Sequence, residues 1–550
     1  MSNLKDIEVQ NLDHLGIVAG IIDSIGLVEI INDLLGTDVS EKISSGHVVK
    51  AMILNGLGFV SSPLYMFSKF FESLPCEHLI GEGIKAEYLN DDKLGRTLDK
   101  LFEKGLTTTF LAIALNAVEK FSILLSYLHL DSTSFHTHGE YNFDSLNINS
   151  SHQNKGSYNE SKDELEIESP QPINITYGYS RDHRPDLKQF IVDLICSGDG
   201  DIPIFFKSAS GNETDSSSFG KILANFKKQI QVDSLMIADS ALYTASNIGL
   251  LTNIQWLCRV PFSISLAKKS ASELTSSELI KSQVSGYSFA MTTSNYGGIE
   301  QRWLVVESSS RKDSDLRKLE KKIQKLEQNA ILQLKKLQKE QFNCYQDARL
   351  ATSKLSKQFK YHQIDNIEII EKASNTKISG QTSFYQLQAT LSKDESAIAS
   401  EIQSAGRFVL ATNVLDETLL SNDSMISEYK AQQSCERGFG FLKDPLFFTD
   451  SVFLKTPKRI EALAFIMALC LLVYTLAQRQ IRLALMNVKS TIKNQLGKPT
   501  NRPTMRWIFQ CFQSIHILAF NNEKQISNLT PDRQFILSFL PEDCRRYYNC

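Results

Sequence analysis

Two acidic residues close apolar, strand-like runs in this chain: Asp131 ends SYLHLD and Asp239 ends SLMIAD. If those runs are neighbours in one sheet, both carboxylates emerge at the same edge. Two such groups can hold a hard divalent cation, which takes oxygen ligands. An acid after a strand is also a common turn or helix-cap residue, and that reading stays open on these segments alone. A third acid comes with company. Tyr429, Glu436 and Lys443 are spaced seven apart, with Gln432 four before Glu436. On one continuous helix this spacing puts all four on one face. A carboxylate between an aromatic hydroxyl and an ammonium suits a metal and phosphate site. The plainer alternative is an amphipathic helix with an exposed Glu–Lys pair. No GxxxxGK[ST], HExxH or GxSxG motif is present, which disfavours a P-loop ATPase, a zincin and an α/β-hydrolase.

The elements that must position these residues are legible from periodicity. Residues 1 to about 125 carry apolar residues at helical spacing, with a break expected at Gly105. A polar stretch rich in Asn and Ser after the Asp131 run reads as a loop or flap. INITYGYS, LKQFIVDLICS and IPIFFKSAS then read as adjacent antiparallel strands. A helix from TDSSSFGKILANFKKQIQ and the Asp239 run follow, which is an α/β pattern. Between about 264 and 404 the pattern changes. Leu316, Leu319, Ile323, Leu326 and Ala330 alternate in steps of three and four, so a helical hairpin or short coiled coil is expected. Its lysines (321, 322, 325, 335, 336, 339) read as a solvated face. The uncharged stretch Ala462–Ala477 is shorter than the roughly 20 residues of a bilayer span, and is expected to be a buried core helix.

Composition bounds the function classes. The chain has 550 residues, 42% hydrophobic and 22% charged, with a net charge of -3. That is a globular mix with two to four domains expected. A globally cationic coat protein is excluded, so any phosphate binding comes from local patches. One such asymmetry exists: Ser451 to Gln510 holds ten Lys/Arg against one acid, Glu461. Either it lies along phosphates or these charges flank buried helices. The nine cysteines are scattered without a CxxC and read as reduced thiols of a cytoplasmic protein. The N-terminus lacks the shape of a signal peptide.

At LDSTSFHTHGEY, ITYGYSRDHRPDLKQF, GNETD, IADSALY, RFVLATN and YKAQQSCERGFGFLKDP the chain resembles the DDE insertion-sequence transposases of the four-like group, in the branch numbered sixteen thirty-four. The last segment resembles that group's Y-x2-R-x3-E-x6-K signature. The resemblance implies an α/β fold. Its catalytic core is RNase H-like, with a helical N-terminal domain and an α+β insertion domain containing a helical hairpin. The expected parts are 1–125 (helical, a candidate DNA-end binder), 126–263 and 405–500 (the two halves of the core), 264–404 (insertion) and 501–550 (C-terminal tail).

It further implies that Asp131, Asp239 and Glu436 form the catalytic triad and hold Mg²⁺, for which Mn²⁺ can substitute. Tyr429, Gln432, Arg437, Lys443 and Arg184 would contact DNA. Arg181, His183 and Lys188 share the Arg184 turn and are within reach of nearby phosphates. The partners would be double-stranded DNA, as element ends and target, with a dimer on synapsed DNA and the 316–337 heptads as one contact. The protein would be cytoplasmic and nucleoid-associated when bound, with no membrane. Trp256 and Trp303 are candidates to stack on a flipped base, against the plainer reading of buried core residues. His136 and His138 are read as hydrogen-bonded structural histidines. The signature's arginine is Gln432 here, and Gly440 stands where close relatives are expected to have arginine. Both departures remove a cation near the phosphate path. The alternatives are an RNase H-like nuclease on another nucleic acid, and a decayed copy that binds element ends as a repressor.

Overall fold

The structure is a computed structural model and describes all residues except 1–7, 39, 60–61, 138–169, 374–382, 445–453, 455, 521–522 and 550. The expected loop after the Asp131 run and His138 therefore lie largely or wholly outside the described residues. The chain forms a mixed α/β fold in two compact units, residues 1–256 with 428–550, and residues 257–427.

The first unit opens with a short strand, β1 (Glu8–Asn11). Helices follow at α1 (Leu15–Ile25), α2 (Leu27–Leu35), α3 (Ser45–Gly56), α4 (Phe67–Glu72), α5 (Cys76–Leu79), α6 (Asp91–Lys104) and α7 (Leu106–Phe121). Local chemistry sets their ends. The Ser44 and Asn90 side chains accept from the backbone N–H groups of His47 and Lys93, capping α3 and α6. Gly105 separates α6 from α7. Strands β2 (Tyr127–Thr137), β3 (Lys188–Ser197) and β4 (Pro203–Ser210) form an antiparallel meander. Helix α8 (Asp215–Gln229) then leads to β5 (Leu235–Ala238), which pairs parallel to β2, and α9 (Ala245–Leu250) follows. The order is β4-β3-β2-β5. The Met236 N–H donates to the Gln255 carbonyl at 2.9 Å, so the chain leaving α9 returns alongside β5.

The second unit contains β6 (Trp256–Val260), α10 (Ser265–Glu273), β7 (Ile280–Lys281), β8 (Tyr287–Tyr296), β9 (Ile299–Ser308), α11 (Ser309–Lys339), α12 (Tyr345–Ser356), β10 (His362–Ala373), β11 (Ser383–Lys393), α13 (Glu395–Ser404) and β12 (Arg407–Thr412). Its strands run β6-β12-β9-β8-β7, all antiparallel, and β10 pairs with β11. The heptad stripe of α11 is covered by its own unit. Leu334 and Leu337 pack with Ile364 and Leu387, and Ile323 packs with Tyr361 and Ile398. Of the expected heptad positions, Ile323 and Ala330 are buried, and Leu316, Leu319 and Leu326 are half-buried. The lysines on the other face are exposed, as expected.

Helix α14 (Asn422–Ala431) is followed by α15 (Gln433–Leu442) and α16 (Pro457–Asn487). By length and hydropathy α16 is able to cross a membrane, but 83% of its most apolar window is buried inside the protein. It packs on α1, α3, α6, α7 and β4 as the central core helix. After it come β13 (Ile492–Lys493), β14 (Pro499–Thr500), α17 (Met505–Cys511), β15 (His516–Phe520), β16 (Glu523–Ser527), α18 (Pro531–Leu537) and α19 (Glu542–Arg546). The stretch expected as a C-terminal tail is instead part of the N-terminal core. Strand β15 pairs with β1, and α19 lies on α1. The approach is close: a Cβ at Gly20 would lie 2.4 Å from the Cys544 backbone. Lys50, Arg546 and Tyr547 converge on Asp23, with Lys50 and Arg546 each at 2.6 Å.

Candidate active site

The strand register brings the first two acids together. Leu130 and Ala238 are partners across the parallel β2–β5 pair, and Asp131 and Asp239 are the next residues along each strand. Asp131 Oδ1 accepts from its neighbour's backbone, Ser132 N–H, at 2.8 Å. Asp239 Oδ1 accepts from Ala241 N–H at 2.8 Å and caps a single 3₁₀ turn. Burial pushes the Asp131 carboxyl up to about 7, and the negative charge of Asp239 adds to the rise; the Ser132 N–H and Arg181 work against it.

Glu436 arrives from another direction. Helix α15 packs on β2 and β3, and the thiol of Cys435 donates to the His129 carbonyl, two residues before Asp131, at 3.1 Å. Glu436 itself is exposed. Among the described residues no three His, Cys, Asp or Glu side chains stand close enough to hold one metal ion. The three acids thus come from converging elements, but Glu436 does not complete a closed ligand set with the other two.

The single helix expected from Tyr429 to Lys443 is corrected. It breaks at Gln432 into α14 and α15. The break is a tight turn, with the Gln432 N–H donating to the Tyr429 carbonyl and the Cys435 N–H to the Gln432 carbonyl. Such i to i+3 bonds advance the chain by 3.0 rather than 3.6 residues per turn, so the four residues do not lie on one continuous helix. Tyr429 is half-buried in the last turn of α14, and Gln432 is buried at the break. Lys443 ends α15, and its Nζ donates to Asp182 at 2.6 Å while lying 5.7 Å from the centre of the Phe135 ring. Gly440 is exposed, and a Cβ there would meet nothing within 4 Å.

The other cations are engaged. Arg184 forms a fork with Asp186 at 2.9 and 2.8 Å, and Arg437 binds Asp201 at 3.1 and 2.8 Å. Arg181 pairs with Asp215 and donates to Ser132 Oγ at 2.6 Å; Ser132 Oγ in turn donates to Asp215 at 2.6 Å. This Arg181–Ser132–Asp215 cluster sits beside Asp131 and was not singled out by spacing, although Asp215 is the last residue of GNETD. Asp193, opposite Ser132 in the register, is also new. It is fully buried with neither oxygen hydrogen-bonded, and burial pushes its carboxyl up to about 7. No signal in an apolar strand such as FIVDLICS distinguishes it.

His136 bonds Ser180 Oγ at 2.9 Å and faces Asp182 at 3.5 Å. Trp256 and Trp303 are 0% and 1% exposed, so neither presents a face to a flipped base, and that candidate role is withdrawn.

Residues 7–115 match a protein family described as a domain of unknown function, DUF4277. No curated protein matches the chain. Among solved structures, a piggyBac transposase synaptic complex with hairpin DNA aligns over 98% of this chain and 82% of that one. The identity is 9% and the TM-score 0.36.

Proposed function

We propose that this protein is a DDE transposase that cuts and joins the ends of a mobile DNA element. The observation that carries the reading is the register that sets Asp131 and Asp239 side by side, each one residue past the last pair of the parallel β2–β5 ladder. The same two acids close LHLDS and IADSALY, the segments that resemble the four-like insertion-sequence group. The meander β2-β3-β4, followed by α8 and a parallel β5, supports the α/β part of the reading.

Asp131 and Asp239 fit a divalent cation chemically: two adjacent carboxylates, one with its charge disfavoured by burial and by the other, gain from a cation between them. Glu436 would join them after a shift of α15. Mg²⁺ or Mn²⁺ held there supplies Lewis acidity to an in-line displacement at phosphorus. In the first step water attacks the phosphorus, the P–O3′ bond breaks, and a 3′-hydroxyl and a 5′-phosphate remain. In the second that 3′-hydroxyl attacks a target phosphate, and the target's own 3′ oxygen leaves with the proton. Lys443 and Tyr429 would orient the strand, with a phosphate replacing Asp182 on Lys443. Two element ends in one complex require a dimer on DNA.

A second reading, an end-binding repressor without cleavage, rests on positions 432 and 440. The first holds a buried Gln and the second a bare Gly where the resembled group places cations. The test is incubation with a labelled duplex carrying the terminal repeat that flanks the gene, with Mg²⁺ or Mn²⁺. Site-specific nicks that leave 3′-hydroxyls support the transposase. Specific binding without nicks supports the repressor.

A further inference from the structure

Of the ten cations between Ser451 and Gln510, half are committed to the fold. Lys458 and Arg459 hold Asp99, Arg479 holds Asp199 and Arg506 holds Asp444. Arg482 donates to the Pro503 carbonyl at 2.9 Å. Four others behave differently. Lys489, Lys493, Lys498 and Arg502 are all exposed, and none forms an ion pair among the described residues.

These four sit on and beside one rigid device, the β13–β14 hairpin. Ile492 pairs with Thr500 and Lys493 with Pro499. The connecting turn is closed by Asn494 N–H to the Lys498 carbonyl at 2.8 Å, and by Asn494 Oδ1, which accepts from the Leu496 and Lys498 N–H groups at 2.9 Å. Gly497 supplies the left-handed residue at φ 71°. Trp507 Nε1 donates to the Lys493 carbonyl at 2.8 Å and pins the hairpin to α17. At the tip Leu496 is 79% exposed, so this turn is held by its backbone and not by burial.

The hairpin also continues towards the candidate site. Arg482 on α16 has its pKa lowered by burial and by the neighbouring charges of Arg502 and Arg437, against Asp201. Arg437 is the residue after Glu436. Arg502 and Arg437 are thus both near enough for their charges to act on Arg482, opposed by Asp201 and Tyr474.

We infer that the β13–β14 hairpin is a DNA-backbone contact, with Lys489, Lys493, Lys498 and Arg502 binding phosphates of duplex DNA that leads into the Asp131–Asp239 site. Four solvated cations on a preorganised scaffold, in a chain of net charge -3, have no folding role that accounts for their grouping. Phosphate neutralisation is the chemistry they can perform. The inference depends on the proposed function only in taking DNA as the partner.

The experiment measures affinity of the full chain for a labelled random-sequence duplex across a salt series. It compares wild type with two fourfold variants. One carries Lys489→Gln, Lys493→Gln, Lys498→Gln and Arg502→Gln. The other carries Lys321→Gln, Lys325→Gln, Lys335→Gln and Lys336→Gln, which removes the same charge from the exposed face of α11. The hairpin variant is expected to unfold at the wild-type temperature, to bind roughly tenfold or more weakly, and to lose about 3–4 from the slope of log K against log salt. The α11 variant is expected to bind as wild type. Equal losses in both variants, or none in the hairpin variant while wild type binds, overturn the inference and leave the transposase reading standing. A wild type that binds no duplex overturns both.

Discussion

Asp131 and Asp239 stand one residue beyond the partners Leu130 and Ala238, where the parallel ladder between β2 and β5 stops. Ten residues of β2, Asp131 among them, are paired with β3, and the residues just before it are paired with β5, so Asp131 has little freedom to move away. The carboxylates are positioned by backbone hydrogen bonding. The helix that carries Glu436 is positioned by packing, by the Cys435 thiol contact and by the ion pairs of Arg437 with Asp201 and Lys443 with Asp182.

Gly440 is predicted to be a removable weakness in α15. A Cβ there meets nothing, so Gly440→Ala is expected to stabilise the protein by about 1 kcal/mol. Denaturant unfolding of the two proteins checks this. Gly440→Arg is expected to fold equally well and to bind duplex DNA more tightly.

Gly20→Ala is predicted to do the opposite. Its methyl group would meet the Cys544 backbone, and α19 would have to lift from α1. The expected loss is about 1–3 kcal/mol or more. Faster proteolysis of the C-terminal fifty residues would show where the loosening occurs, and an unchanged pattern would contradict it.

Arg479 is a cation committed to the fold. Its guanidinium is 8% exposed and binds Asp199 at 2.9 and 2.6 Å and the carbonyls of Phe121 and Ser122. Arg479→Ala leaves Asp199 with only the Leu124 N–H as a partner and strips both carbonyls of theirs, so a loss of about 3 kcal/mol is expected. Thermal unfolding reads it directly, and the hairpin lysines should show no such effect.

Asp193 gives the stability a pH dependence. Its carboxyl lies about 7 in the fold against an ordinary 3.8, facing Lys207, Glu213, Asp215 and Arg181. Between about pH 4 and pH 7 the folded chain keeps a proton there that the unfolded chain releases. Its contribution to stability therefore falls as pH rises through that window and levels off above it. Asp193→Asn is expected to flatten the decline in unfolding free energy from pH 4.5 to pH 8. Parallel curves for the two proteins would contradict the assignment.

Much of this was readable beforehand, and the failures have physical causes. Acids that end apolar runs in adjacent strands are a local signal, and the GDGD turn marked the β3–β4 hairpin, but the expected strand INITYGYS forms only an isolated bridge at Thr176 and the Asp131 strand takes its place in the meander. The break at Gln432 was invisible because a spacing of seven fits a continuous helix and a slightly overwound one alike. The α11 stripe reads the same whether a second helix or its own sheet covers it. The docking of β15 on β1 joins residues some five hundred apart, and no local pattern encodes that pairing. Asp193 was missed because burial of a lone acid in an apolar strand is set by its neighbours.

The most direct test of the central claim is strand cleavage by single-site variants. Wild type, Asp131→Asn, Asp239→Asn and Glu436→Gln would be incubated with a terminal-repeat duplex and Mg²⁺ or Mn²⁺, with unfolding curves confirming that each is folded. The account predicts site-specific 3′-hydroxyl nicks from wild type and a loss of about 10²-fold or more in each variant, as for a carboxylate that stabilises the transition state. Nicking at the wild-type rate by a folded Asp131→Asn or Asp239→Asn variant would mean that the register pair is not the catalytic centre.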